Sequence, residues 1–438
     1  MSVWSPYQPT NDARWNLQRV VHLHRRTAFA ATWPEIQRDL AGKPEEAVSR
    51  LLDGKSRLDG VPQDFDSLST VIGQAAADSG SPERLKAWWL YRCLFTPHPL
   101  QERLMLMWHN HFATSNLKVD DLKLMKRQNE SLRKLALAPF GELLATLAHD
   151  PALLNWLDAP QNRQGHPNEN LARELMELFT LGIGHYTEQD VKEAARSLTG
   201  WTVRQGEFRD LAAVHDDGEK EILGHLGKHS GDDLVRILLD QPSTARRLAW
   251  RLTGEFFGEG VVTSTALDEL AQQLRENNLD IRRAVETILR SQLFFSSANV
   301  GTRIADPVSF LVGPLRALEC WREAPSTLVL AEWLSRMGQD LFYPPNVGGW
   351  PGGRAWLSTR TTIARSNCMA ALIAGNLHTP PRPLQIEQLA TRFCGKSSAQ
   401  EKTTFLSRLL FGQDVESTDS DLAATLTRLL TTPQAHLH

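Results

Sequence analysis

Two glutamates one helical turn apart have the types and spacing that acid–base or metal chemistry requires. Glu174 and Glu177 lie in the run NENLARELMELFTLGIG, residues 168–184. Side chains three positions apart on a helix are neighbours, so the two carboxylates could share a metal ion or act as general acid and base. The same run also fits a solvated helix, on which Arg173 would pair with Glu169 and Glu177. Glu174, Glu177 and Arg173 are therefore candidate catalytic residues, with a solvated helix face as the alternative.

Candidate metal ligands occur in two other stretches. His109 and His111 form an H-x-H pair in WHNHFATSNLKV, residues 108–119. Their rings could converge on one ion if the backbone is extended there, and they diverge by roughly 160° if the helix continues. The residues that follow indicate a helix end, which allows convergence; hydrogen-bonded structural histidines are the alternative. His215 and Asp216 stand together in HDDGEK, a pair typical of metal or acid–base sites and also of loop anchors. We predict the three histidines as metal ligands and the aspartate as catalytic.

A segment rich in glycine and proline, YPPNVGGWPGGR, covers residues 343–354. Its glycines would let the backbone approach another group closely. No G-K-[ST] follows, so it is not a phosphate-binding P-loop. The segment either closes the bottom of the core or binds a ligand. The candidate binding residues, from this segment and the central stretch, are Asn346, Trp350, Asn170, Arg196 and Trp201.

Helical periodicity predicts the elements that carry these residues. Apolar residues at steps of three and four predict a helix that begins near Pro167 and ends at Gly182 or Gly184. Thr187 then begins a second helix, with a capping-box arrangement. A long amphipathic helix is predicted over 117–136. Residues 201–230 form the one irregular or extended insertion, with a small hairpin around Gln205 and Gly206.

We therefore predict a mostly α fold. It is an orthogonal or antiparallel multi-helix bundle with an irregular or β-hairpin insertion near 201–230. A Pro-rich linker at 377–388 divides a main helical domain, 1–376, from a small C-terminal helical extension, 377–438.

Composition narrows the function classes. The 438 residues carry a net charge of −3, so no basic excess favours nucleic-acid binding. No run of about 18 apolar residues predicts a membrane span. The N-terminus lacks an apolar signal core, which predicts a cytoplasmic protein, or a periplasmic one if the chain is a trimmed mature form. The four dispersed cysteines indicate buried free thiols. Thirteen tryptophans indicate core anchors, or an aromatic groove for a sugar or polymer.

Several blocks of the sequence resemble, in order, a bacterial family defined by domain of unknown function 1800 (DUF1800). The longest is NENLARELMELFTLGIGHYTEQDVKEAARSLTGW, at 168–201. The others are HLHRRTAFAAT, WHNHFATSNLKV, HDDGEK, GDDLVRILLDQPSTARRLAWRL, DPVSFLVGPLRAL and LFYPPNVGGWPGGRAWL. The resemblance covers about residues 14–370. It implies a mostly helical fold, an often exported location and a companion protein that is alkaline-phosphatase-like or sulfatase-like.

Three functional hypotheses follow from these residues. The first is a metal-dependent enzyme, with hydrolysis as its default chemistry and Zn, Mn or Fe as the divalent ion. The second is a non-catalytic binding or assembly protein that acts with the companion protein. The third is a pocket for a phosphorylated or sulfated ligand, framed by Arg25, Arg26, Arg173 and Arg196. The oligomeric state is left open.

Overall fold

The structure is a computed structural model that describes residues 2–54, 64–415 and 421–438. Within those ranges the chain forms twenty-two α-helices and two small antiparallel sheets of two strands each. The prediction of a mostly α fold with a β-hairpin insertion is therefore confirmed. All four cysteines are free thiols, and Cys394 is the one that is not buried. No helix in the described ranges is long and apolar enough to cross a membrane.

In the described ranges, the N-terminal part of the chain contains ten helices, several of which begin at proline. Proline suits the first helical position, where its missing N–H leaves no bond unmade. The helices are α1 (Leu17–Thr27), α2 (Trp33–Ala41), α3 (Pro44–Leu52), α4 (Phe65–Asp78), α5 (Pro82–Phe95), α6 (Pro99–His111), α7 (Asn116–Val119), α8 (Leu122–Lys134), α9 (Phe140–Ala148) and α10 (Pro151–Trp156).

The single helix predicted over 117–136 is wrong, because the chain breaks between α7 and α8. Asp120 adopts a left-handed conformation, with φ of 48°. The next residue, Asp121, caps α8 by accepting hydrogen bonds from the backbone N–H groups of Lys123 and Leu124 at 2.9 and 3.0 Å. An aspartate that caps a helix competes with the helical path through its own position.

The central stretch begins as predicted and then changes its helical type. Helix α11 (Asn170–Glu174) continues as a π-helical turn, Leu175–Thr180, before α12 (Glu188–Ser197). Gly182 and Gly184 have positive φ angles of 83° and 88°, as expected of residues that end a helix. The capping box that begins α12 is present. The π-helical turn was not predicted.

Two β-hairpins follow α12. Their strands are β1 (Trp201–Arg204), β2 (Glu207–Asp210), β3 (Lys220–Ile222) and β4 (His225–Gly227). Gln205 and Gly206 both have positive φ, 53° and 72°, as a tight two-residue hairpin turn requires. The second hairpin was not predicted, because its turn places Leu223 at φ 50°, where a leucine is rarely found.

The described residues of the C-terminal half form ten more helices, which share one core with the first half. They are α13 (Gly231–Asp240), α14 (Pro242–Phe256), α15 (Ser264–Glu276), α16 (Ile281–Arg290), α17 (Pro307–Ala317), α18 (Thr327–Arg336), α19 (Thr359–Ile373), α20 (Ile386–Cys394), α21 (Ala399–Phe411) and α22 (Leu422–Thr431). Buried apolar side chains from Trp4 to Ala435 form a continuous cluster. Gly412, after α21, packs against α1 so closely that a Cβ there would lie 2.6 Å from the Cα of Gln18. The division at 376/377 stays a prediction.

Candidate functional site

A cleft of about 880 Å³ lies between α6, α14 and the segment 350–356. Its volume is within the range of small-molecule sites, which is roughly 300–1,000 Å³. The described aromatic and charged residues that line it are Trp250, Phe257, Trp350, Trp356, Arg251, Arg303, Arg354, Glu255, Glu259 and Asp306. The glycine- and proline-rich segment thus forms a wall of a concave site.

Asn110 fixes that wall to α6. The backbone N–H of Trp350 donates to Oδ1 of Asn110 at 2.7 Å, and Nδ2 of Asn110 donates to the carbonyl of Trp350 at 3.4 Å. Gly349 has φ of 81°, and a Cβ there would lie 2.2 Å from Oδ1 of Asn110. Sequence reasoning missed Asn110, although a polar residue inside the HNH triplet was a usable signal. Asn346, by contrast, is exposed and accepts a hydrogen bond from the N–H of Gly348 at 2.9 Å.

His109 lies directly beneath this wall. Its ring packs against Trp89, Phe342 and Trp350, with centroid distances of 4.9, 5.8 and 5.6 Å. Neither ring nitrogen has a hydrogen-bond partner among the described residues. Burial lowers the pKa of His109 to about 3, so the ring is neutral at pH 7. It supports Trp350 from below.

His111 faces a different environment. Its Nε2 lies 3.1 Å from the carbonyl oxygen of Phe179 in the π-helical turn. Burial, with Arg251 and Arg247 nearby, lowers its pKa well below the usual range. Because α6 continues through His111, the extended backbone that convergence requires is not present. The expected convergence of His109 and His111 is therefore not found.

A buried ion network forms the floor of the cleft. Arg103 lies 2.5 Å from Glu255 and 2.9 Å from Asp306. Arg303 lies 3.3 Å from Glu255 and 3.8 Å from Asp306. Burial would raise the pKa of Asp306, but Arg103 and Arg303 outweigh it and hold the pKa below its usual range. Glu255 and Asp306 are thus each held by two arginines at the cleft.

Arg251 lines the same cleft, and no carboxylate of the described residues lies within ion-pair distance of it. Its Nη2 donates to the carbonyl of Met107 at 2.9 Å. Its Nε is buried and has no hydrogen-bond partner in the described part of the chain. Burial lowers the pKa of its guanidinium to about 10, which leaves it charged at pH 7. The cleft therefore contains a cation with unused donors.

Glu174 is the last residue of α11 and Glu177 lies in the π-helical turn that follows. Neither is among the described residues that line the cleft. Burial, and then the charge of Glu177, raises the pKa of Glu174 to about 7. The hydroxyl of Tyr186 donates to the carboxylate of Glu177. The wider turn closes with a bond from the N–H of Leu181 to the carbonyl of Met176 at 2.8 Å. Such turns are frequent at functional sites.

Arg173 and Asn170 make contacts that are typical of a helix surface. Arg173 forms ion pairs with Glu169 at 3.0 Å and Glu188 at 2.8 Å. Asn170 donates to a carboxylate oxygen of Asp158 at 3.2 Å. Arg173 therefore links α11 to α12, and does not form the predicted pair with Glu177.

The remaining predicted residues attach the hairpin region to α12. Arg196 donates two hydrogen bonds to Asp216, at 2.8 and 3.0 Å, and lowers the pKa of that carboxyl to about 2. His215 Nδ1 lies 2.8 Å from the carbonyl of Thr199. Trp201 is buried, and its ring packs against neighbouring aromatic rings. This geometry corresponds to loop anchoring, the alternative considered for the His215-Asp216 pair.

No group of three or more His, Cys, Asp or Glu side chains that could hold a metal ion occurs in residues 2–54, 64–415 and 421–438. His109, His111 and His215 lie in three separate environments, defined by Trp350, Phe179 and Thr199. The metal hypothesis stays a prediction, without an assembled ligand set in these ranges.

A family model described as "Protein of unknown function (DUF1800)" matches residues 22–437, nearly the whole chain. The chain belongs to this family. The resemblance seen in the sequence is thus confirmed. No curated protein gives a significant match, and neither does any solved structure.

Four of the blocks that resemble the DUF1800 family meet at the cleft. They supply Asn110 from α6, Arg251 from α14, Asp306 from the start of α17 and Trp350 from the glycine-rich segment. These residues are far apart in sequence, and the fold brings them to one concave surface. We therefore take the cleft as the candidate functional site of this DUF1800 protein.

Proposed function

We propose that this protein binds a saccharide in the cleft between α14 and the segment 350–356. The observation that carries the proposal is Trp250. This residue lines the concave site, yet half of its surface is exposed. Large apolar surface exposed in a cleft is typical of a binding site, and the face of an indole ring suits the C–H face of a sugar.

The surroundings of Trp250 match that ligand class. The guanidinium of Arg247 lies 4.5 Å from the indole ring and helps to fix its orientation. Trp350 and Trp356 are largely buried and stiffen the opposite wall. Asn110, Thr302 and Gln339 add uncharged polar groups that could bond to hydroxyls. An apolar face with a few polar groups around it is the usual pattern of such sites.

A Trp250→Ala variant tests the proposal. We expect soluble oligosaccharides to bind the wild-type protein in calorimetric titration and to lose about tenfold or more in affinity in the variant. Trp333→Ala is the matched control, since Trp333 also packs under an arginine, with Arg336 at 4.9 Å, but does not line the cleft. Equal affinity in both variants would overturn the proposal.

Glu174 supports a second candidate function, acid–base catalysis. A carboxyl group with a pKa of about 7 can both donate and accept a proton near neutral pH. Hydrolysis remains the default chemistry for that hypothesis. The divalent metal and the alkaline-phosphatase-like companion protein also remain predictions. A Glu174→Gln variant that keeps every activity found for the wild type would count against this second candidate.

A further inference from the structure

We propose that the saccharide is acidic and that its oxyanion, a carboxylate or a sulfate, binds to Arg251. This inference rests on the proposed function and names the ligand class of the same cleft. It is carried by the bonding of Arg251, by the charge of the groups around it and by the free space opposite.

The bonding of Arg251 leaves most of its donors unused. A guanidinium has five N–H groups. One nitrogen of Arg251, Nη2, donates to the carbonyl of Met107, while Nε has no partner among the described residues although it is buried. A buried, charged donor without a partner is costly, and an oxyanion can satisfy two guanidinium donors at once.

The other two arginines that line the cleft are already paired. Arg303 lies near Glu255 and Asp306, and Arg354 lies 3.2 Å from Glu259. Arg251 has no carboxylate within ion-pair distance in the described ranges, and Glu255 is engaged by Arg103 at 2.5 Å. An incoming anion can therefore bind the guanidinium of Arg251 without competing with a carboxylate of the described residues.

The charges at the floor do not cancel. The described charged residues that line the cleft are three arginines and three carboxylates: Arg251, Arg303, Arg354, Glu255, Glu259 and Asp306. Arg103, which pairs with Glu255 and Asp306 without lining the cleft, adds a fourth positive group. Four positive groups therefore meet three negative ones and leave one positive charge. A cleft with a net positive charge attracts an anionic ligand and repels a cationic one. The excess charge lies on Arg251, because Arg103, Arg303 and Arg354 are each within ion-pair distance of a carboxylate.

The segment across the cleft leaves room for the ligand. Gly352 and Gly353 both have positive φ, 71° and 53°, and a Cβ on either would meet nothing within 4 Å. The glycines are thus required by the backbone conformation rather than by crowding. The space beside them is open to a ligand that also reaches Trp250 and Arg251.

Titrations of the full chain with four probes test the inference. The probes are a neutral oligosaccharide, a uronic-acid oligosaccharide of the same length, a sulfated oligosaccharide and inorganic sulfate alone. We expect Arg251→Gln to lower the affinity for the acidic oligosaccharides about tenfold or more and to leave the neutral one within about twofold. Arg246→Gln is the control on the same helix, because Arg246 pairs with Asp268 at 2.7 Å outside the cleft. The uronic and sulfated arms show which oxyanion is preferred.

The outcomes separate this inference from the proposed function. If acidic probes bind no more tightly than the neutral one, or if Arg251→Gln leaves them unchanged, the anion site is overturned while saccharide binding stands. If inorganic sulfate binds through Arg251 and no saccharide binds, the proposed function is overturned and the anion site stands as a simple oxyanion site. If no probe binds, both are overturned. Arg251→Lys keeps the positive charge but loses the bidentate geometry of the guanidinium, so we expect intermediate affinity for the acidic probes. Such binding would show that misfolding is not the cause of the weaker binding by Arg251→Gln.

Discussion

His109 and His111 show what residue types and spacing alone can predict about this site. Both histidines of the H-x-H pair are buried. His109 packs against Trp350, and His111 lies beside the π-helical turn. Their divergence depended on whether α6 ends before or after His111, and a one-residue uncertainty in a helix end is beyond sequence reasoning. Asn110, between them, proved to be the residue that contacts the cleft wall. The spacing thus drew attention to this triplet, whose contact with the cleft wall is made by Asn110, and the assignment of the histidines as metal ligands stays a prediction.

Glu174 provides a pH-dependence prediction at the residue scale. Its pKa rises from 4.5 to about 7 on folding, because burial and then Glu177 disfavour the charged form. The folded protein thus holds this proton more tightly than the unfolded chain. The contribution to stability is fully present below about pH 4.5 and is lost as the pH rises through about 7. Glu174→Gln should remove that loss.

The measurement is the free energy of unfolding of both proteins in urea between pH 5 and pH 8. As the pH rises across this range, we expect the free energy of unfolding of the variant to increase relative to that of the wild type by on the order of 1 kcal/mol. This figure allows for solvent screening of a partly exposed group. Glu221→Gln, at an exposed position of β3, should show no such gain. Parallel pH curves for Glu174→Gln and the wild type would contradict the predicted shift.

At the scale of elements, periodic helices were predictable and local exceptions were not. Capping residues and apolar spacing located α12 and the central helix, and the Gln205-Gly206 turn located the first hairpin. The π-helical turn was missed because its carbonyls gain partners from other elements. Phe179 is bonded by His111, and Leu178 accepts from Arg247 at 3.3 Å. These long-range partners leave no trace in the local pattern.

The glycine-rich segment provides a prediction at this same scale. Gly349→Ala would place a Cβ 2.2 Å from Oδ1 of Asn110 and force alanine into a left-handed conformation. We expect a loss of about 1–3 kcal/mol in the free energy of unfolding, and weaker saccharide binding because the wall at Trp350 shifts. Urea denaturation and calorimetric titration measure the two effects.

Gly254→Ala is the control for that substitution. Gly254 lies within α14, and a Cβ there would meet nothing within 4 Å. Alanine favours a helix over glycine by up to about 1 kcal/mol, so this variant should be as stable as the wild type or more stable. Equal stability of Gly349→Ala and the wild type would show that the contact between Asn110 and the segment does not hold the wall in place.

At the scale of the whole molecule, the cleft is a product of long-range assembly. Asn110, Arg251, Asp306 and Trp350 come from four separate parts of the chain. Their convergence rests on Arg103, whose guanidinium joins α14 to the start of α17 through Glu255 and Asp306. The sequence predicted the mostly helical architecture, and it singled out the segment 343–354, part of which lines the cleft. It could not predict which helices form the opposite wall, since that depends on packing between distant elements.

Hydrogen exchange of the whole protein, with and without an acidic oligosaccharide, tests the central claim most directly. If the cleft is the binding site, amide protection should increase in residues 247–258 of the α14 region and in residues 349–356, because both walls lose mobility when the ligand bridges them. Protection elsewhere, for example around Glu174 and Tyr186 with none at the cleft, would contradict the assignment and favour the central carboxylates as the functional site.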